Sequence, residues 1–149
     1  MFYFVVRHFR WLACVPLLPQ LFDAILLAHT SIVHRPRLRA MEMLEAGMLR
    51  QSNVSLKVHH FGGTEFVRED GIQLGHLHGH GLLDVLVGSA NAATLVATRQ
   101  ARPHHIFPNS SWVSFQIESE SDVPFALELF AMAQARIPAS KELPMDGSA

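Results

Sequence analysis

Val54-Ser55-Leu56-Lys57-Val58-His59, Gly62-Gly63, Thr64-Glu65-Phe66-Val67-Arg68-Glu69, Asp70-Gly71 and Ile72-Gln73-Leu74-Gly75-His76-Leu77-His78 form the stretch that decides the fold. Val54, Leu56 and Val58 alternate with Ser55, Lys57 and His59, which is the period of a half-buried strand. Gly-Gly and Asp-Gly are two-residue turn signals, because glycine accepts positive φ at little steric cost. Strands joined this closely run antiparallel, since a parallel pair needs a crossover of about a dozen residues or more. Gly79-His80-Gly81 then turns the chain into a fourth strand, Leu82-Leu83-Asp84-Val85-Leu86-Val87.

Beyond this meander, Ser89 is placed to cap a helix running to Ala101, rich in alanine and stopped by Pro103. Trp112 to Ile117 reads as a further strand with Val113, Phe115 and Ile117 inward. Ser119 or Ser121 caps a last helix, whose Val123, Leu127, Phe130 and Gln134, with Ala126 and Ala133 nearby, place a mostly apolar stripe against the sheet until Pro138. Before the meander, His34-Arg35-Pro36-Arg37 opens a new element. From Leu38 an amphipathic helix carries Leu38, Met41, Leu44, Ala46 and Met48 on its apolar side. The expected fold is α+β: a mostly antiparallel sheet of five or six strands, with helices mainly on one face and N-terminal helices ahead of it.

The chain has 149 residues, room for one domain. Residues 1–36 are expected to be an apolar helical segment, 37–138 the α+β domain and 139–149 a loose tail. Pro16, Pro19 and Asp23 interrupt the first segment, and a bilayer span needs about 20 consecutive apolar residues. No persuasive signal-peptide cleavage site follows the apolar run. Docking of this segment on the domain is the favoured reading, with peripheral membrane contact through residues 1–33 as the other. The expected localisation is intracellular, cytoplasmic or peripherally membrane-associated.

Twelve Lys and Arg stand against thirteen Asp and Glu, so no broad positive field attracts nucleic acid, and none is expected as a partner. Arg35, Arg37 and Arg39 read as a solvated helix start rather than a phosphate site. Cys14 is the only cysteine, which excludes an internal disulfide and a thiolate metal cluster. There is no nucleotide-binding glycine loop, nucleophile elbow or helical His-Glu-x-x-His.

Five of the ten histidines fall in two clusters, His76, His78 and His80, then His104 and His105. Imidazole moves protons near neutral pH and ligates transition metals, so the clusters point to one pH-dependent site. Side chains two apart on a strand share a face about 7 Å apart, which makes His76 and His78 a workable metal pair or a tuned general base. Their parity with Ile72 and Leu74 places them under the helices at the end of the core. Asp84, His104 or His105 would supply a third ligand. In an extended loop only one of the adjacent pair His104 and His105 reaches a given pocket. Trp112, on the opposite parity to Val113, can wall a planar ligand. His80 lies in a turn, and His59 and His60 lie on opposite faces, so these three rank lower. For any single histidine the plain reading is a satisfied structural side chain.

Phe61-Gly62-Gly63-Thr64-Glu65-Phe66, Leu74-Gly75-His76-Leu77-His78-Gly79, Pro103-His104-His105, Ser111-Trp112-Val113-Ser114-Phe115 and Asp122-Val123-Pro124-Phe125-Ala126-Leu127-Glu128-Leu129 together resemble the luciferase-domain family. This family comprises bacterial and fungal proteins related to the luciferase of bioluminescent fungi. The resemblance extends from Leu38 to Arg136, and His76, His78, His105 and Trp112 match the shared pattern best. It implies a pocket for a flat, oxygen-rich aromatic, because the fungal luciferases oxidise a hydroxylated pyrone with molecular oxygen. This chain departs from the light-emitting branch at Gly79-His80-Gly81-Leu82-Leu83-Asp84.

The expected function is an oxygen-dependent oxidoreductase acting on a small phenolic or pyrone-type molecule. His76, His78 and His105 are its candidate catalytic residues, and Trp112, His104 and Asp84 contact substrate. The cofactor is either none or a single divalent transition metal on His76, His78 and His105. The alternative is a ligand-binding or scaffold domain with structural or pH-sensing histidines.

Overall fold

The computed structural model describes residues 17–60 and 62–136. The first half of the expected N-terminal segment, with Cys14, and the expected tail 139–149 lie outside the described residues. In chain order the elements are α1 (Leu18–Val33), α2 (Arg35–Leu49), β1 (Val54–Val58), β2 (Thr64–Arg68), β3 (Gln73–Leu77) and β4 (Leu82–Val85). They continue with α3 (Ser89–Ala97), β5 (Arg102–Pro103), β6 (Val113–Gln116), a 3-10 turn (Glu120–Asp122) and α4 (Val123–Arg136). The fold is α+β, with N-terminal helices ahead of a six-stranded open sheet of order β1-β2-β3-β4-β6-β5. Every strand pair is antiparallel.

The meander forms where alternation and glycine turns place it. Gly62, Gly63, Gly71 and Gly81 all take positive φ in its turns. A row of cross-strand neighbours, Phe66, Gly75, Val85 and Val113, faces α4. Phe130 of α4 lies against it, its ring 4.6 Å from that of Phe66 and tilted by 55°. Such an aromatic pair adds about 0.5–1.5 kcal/mol beyond its buried area. Ala40, Met41, Leu44 and Met48 of α2 extend this core, while Ala46 of the expected stripe is exposed.

Gly75 makes the close approach possible. A Cβ there would stand 3.0 Å from Phe130 Cε1 and 2.6 Å from the Asp84 carbonyl oxygen. Gly75→Ala is therefore expected to cost about 1–3 kcal/mol through overpacking, read as a lowered denaturation midpoint. An unchanged midpoint would mean that α4 sits less tightly on β3.

Several boundaries differ from the sequence expectations. α3 is entered through Gly88 at φ 89°, with no capping bond from Ser89, and it ends at Ala97. Arg99, at φ 58°, closes it in the left-handed region. Pro103 therefore stops no helix; it lies on the edge strand β5, where a missing N–H is tolerated. Val58, expected inward, is 81% exposed on the other edge strand. Ser119 does cap the last helical unit, in a capping box with Asp122. Of the basic run, Arg37 pairs with Glu118 while Arg35 and Arg39 are exposed.

Among the described residues α1 packs on α2 and buries Asp23 and Thr30. Its outer side exposes Leu21, Ile25 and Ile32. No helix among the described residues is long and apolar enough to cross a membrane.

Candidate functional site

The sheet register builds the site. His76 pairs with Asp84 across β3 and β4, and Asp84 pairs with Ser114 across β4 and β6. Directly opposed residues project from the same face. Because Gly75 faces α4, alternation sends these three side chains out of the opposite face. This corrects the expectation that the histidines lie beneath the helices at the end of the core.

Asp84 is fully buried at the centre. Ser114 donates its hydroxyl to Asp84 Oδ1. Asp84 Oδ2 has His76 Nε2 at 3.2 Å, His78 Nε2 at 3.3 Å, His105 Nδ1 at 3.4 Å and His104 Nε2 at 3.9 Å. Despite this company, Oδ2 accepts no hydrogen bond of good geometry among the described residues. Burial pushes the Asp84 carboxyl up, but the imidazoles of His105, His76 and His78 outweigh it and hold the group well below its usual range. A buried carboxylate is thus kept charged and aimed at a cluster of nitrogens.

His78 sits just beyond the end of β3, where its N–H bonds the Leu82 carbonyl across the turn. Its Nδ1 is 3.6 Å from Asp23 Oδ1, which reaches in from α1. Burial alone would lower the His78 pKa, yet Asp23 and Asp84 more than offset this and lift it to about 9. Such a shift favours the imidazolium form of His78 between the two carboxylates.

Three further rings, His59, His80 and His104, are pushed toward the neutral form around that charge. His59 stacks flat on His76, with centroids 4.4 Å apart and planes 3° apart. Its pKa falls to about 3 through burial and the neighbouring imidazoles His76, His60 and His78. His80 falls to about 4 through burial and the His78 charge. Burial, with His105, His76 and His78, lowers His104 to about 4 against the pull of Asp84.

His104 Nδ1 accepts the N–H groups of Ile106 and Phe107, at 3.2 Å and 3.1 Å. Nδ1 is therefore unprotonated, and Nε2 carries the proton of the neutral ring. His104 folds the loop rather than offering a lone pair to the centre. That folding also lets both adjacent histidines reach Asp84, contrary to the expectation for an extended pair. Their rings stack at 4.7 Å.

Trp112 lies on the site face, as its parity predicted, 5.6 Å from the His76 ring and 5.8 Å from His104. Phe107 stacks on His104 at 5.6 Å. A shallow cavity of about 350 Å³ runs over Ile106 to Ser110, in the same loop but lined by none of the histidines.

His76, His78, Asp84, His104, His105 and Trp112 are thus brought together, while His60 is exposed and lies against His59 at the edge of the cluster, ring centroids 4.5 Å apart. Sequence reasoning ranked His59 low and missed two participants, Ser114 and Asp23. Only Asp23 left a signal, since a carboxylate in an otherwise apolar helix needs a buried partner.

No curated protein and no solved structure matches the chain. Residues 71–133 match the family model described as the luciferase domain. That span carries His76, His78, Asp84, His104, His105, Trp112 and Ser114, and over it the chain is similar to the luciferase-domain family.

Proposed function

We propose that this protein is a metal-dependent oxidoreductase that uses molecular oxygen on a small phenolic or pyrone-type molecule. The observation that carries the reading is the convergence of three imidazole nitrogens within 3.4 Å of one buried carboxylate oxygen that lacks a well-directed hydrogen bond. Ligands that each stand about 2.0–2.2 Å from an ion lie roughly 3.0–3.5 Å from one another. The donor atoms of His76, His78 and Asp84 all lie within 4.8 Å of each other. Two imidazoles and a carboxylate suit a divalent transition metal, with ferrous iron the choice for oxygen chemistry. Charge supports the same reading, because two carboxylates around one imidazolium leave a surplus negative charge that a cation displacing the His78 proton would neutralise.

In this assignment His76, His78 and Asp84 hold the ion, which would supply oxygen activation. His105 takes the proton from the substrate hydroxyl, and His104 shapes the loop that carries it. Trp112 offers its ring to the substrate plane. Asp84 moves from the expected substrate contact to the metal, since it is fully buried behind the histidines. The resulting enolate is the electron donor and dioxygen the acceptor. A second reading, a domain whose buried histidines sense pH, is favoured by the opposed pKa displacements of His78 and of His59, His80 and His104.

Protein purified without a histidine tag is expected to contain one iron, manganese or zinc per chain by elemental analysis. His76→Ala/His78→Ala should remove it. A folded wild-type chain that takes up no divalent metal on reconstitution would overturn the metal assignment and leave the pH-sensing reading.

A further inference from the structure

Asp23 reaches the site from a helix outside the matched segment, and its placement is tightly specified. Asp23 is 6% exposed, although it sits in an apolar helix. Its Oδ1 accepts the Gly79 N–H at 2.9 Å and lies 3.6 Å from His78 Nδ1. The other face of the same ring presents Nε2 to Asp84 Oδ2 at 3.3 Å. The seat for α1 is made by glycines from two separate hairpins. A Cβ on Gly62 would stand 2.5 Å from Asp23 Cβ, and one on Gly79 would stand 2.6 Å from the Asp23 carbonyl oxygen and 2.8 Å from Leu27. Neither position can carry a side chain without displacing α1.

We propose that Asp23 is a positioning residue of the metal centre, whose carboxylate holds the proton of His78 on Nδ1 and turns Nε2 toward Asp84 and the ion. The proposal rests on the metal reading above. Ligating histidines usually donate their second ring N–H to a carboxylate or carbonyl, which fixes tautomer and orientation and raises ligand basicity. α1 is by this argument part of the functional unit: without it, His78 is free to rotate and to protonate on the wrong nitrogen.

A merely structural role would be confined to the Gly79 N–H bond, and Asp23→Asn separates the two. The asparagine carbonyl still accepts from Gly79, but it removes the charge facing Nδ1. The experiment uses the full chain and reads ring nitrogen shifts of His78 by ¹⁵N NMR, with zinc affinity measured by chelator competition. Wild type is expected to show a protonated Nδ1 with and without zinc. Asp23→Asn should alter that signature and weaken zinc binding by about 10–100-fold.

Unchanged ring shifts together with unchanged affinity overturn the role of Asp23 while leaving the metal centre standing. If wild type binds no zinc, the metal reading fails, and the ring shifts alone decide whether Asp23 sets the His78 tautomer. Should Asp23→Asn not fold, Gly79→Ala serves instead. It pushes α1 away with Asp23 intact and is expected to change the His78 ring in the same way, and an unchanged ring there overturns the proposal too.

Discussion

Asp84→Asn is expected to abolish stoichiometric metal binding and to destabilise the metal-free protein by about 3 kcal/mol. The two effects have one cause. Asparagine preserves shape and the Oδ1 acceptor for Ser114, so packing and that hydrogen bond survive. What disappears is the negative charge at the point where the nitrogens of His76, His78 and His105 converge. Without it a cation has only neutral donors, and the His78 imidazolium loses one of its two carboxylates. Removing one partner of a buried ion pair costs about 3–5 kcal/mol, and the low end applies because Asp23 still faces the ring. Elemental analysis and denaturant unfolding in chelator measure the two effects separately. Metal retained at one per chain would remove Asp84 from the ligand set. Metal lost with stability unchanged would show that the carboxylate does not stabilise a charged His78.

Local chemistry was legible in the sequence and three-dimensional convergence was not. The hairpins of β1 to β4 could be read because alternation and glycine turns act within a few residues. The side of the sheet occupied by Trp112 followed from strand parity. Nothing local says that β6 inserts between β4 and β5, yet that insertion sets Ser114 opposite Asp84. Adjacent histidines could both reach the centre only because the His104 ring ties back to the Ile106 and Phe107 amides. His59, just past β1, stacks on His76 of β3, two strands away in the sheet, which no spacing rule expresses. The α3 terminus was misplaced because Pro103 looked like a helix stop, whereas Arg99 had already ended the helix through a left-handed residue. Asp23 interrupts an apolar run in the sequence, and its charge demands a partner elsewhere in the fold, which the Gly79 N–H and His78 supply.

Metal-free protein is expected to be most stable near pH 6.5 and to weaken on both sides, more steeply toward acid. Below pH 6.5 the unfolded chain protonates His59, His80 and His104, while the folded protein keeps them neutral until about pH 3 to 4. The unfolded state then binds more protons, so stability falls as pH falls. His78 works in the opposite direction. Its folded pKa of about 9 lies above the unfolded value, so its stabilising contribution is complete below about pH 6.5 and is lost as pH rises through about 9. Asp84 is held well below its usual range, so its contribution persists above about pH 4 and is lost only in stronger acid. Up to three protons act on the acid arm against one on the alkaline arm, hence the asymmetry. A bound cation displaces the His78 proton from Nε2 and competes with protons for the same imidazoles, so metal should flatten the alkaline arm and steepen the acid one. Denaturant midpoints from pH 4.5 to 9.5, with chelator and with zinc, provide the comparison. A flat metal-free profile would mean that these histidines do not differ in protonation between the folded and unfolded states. A single-sided fall toward acid would remove His78 from its place between the two carboxylates.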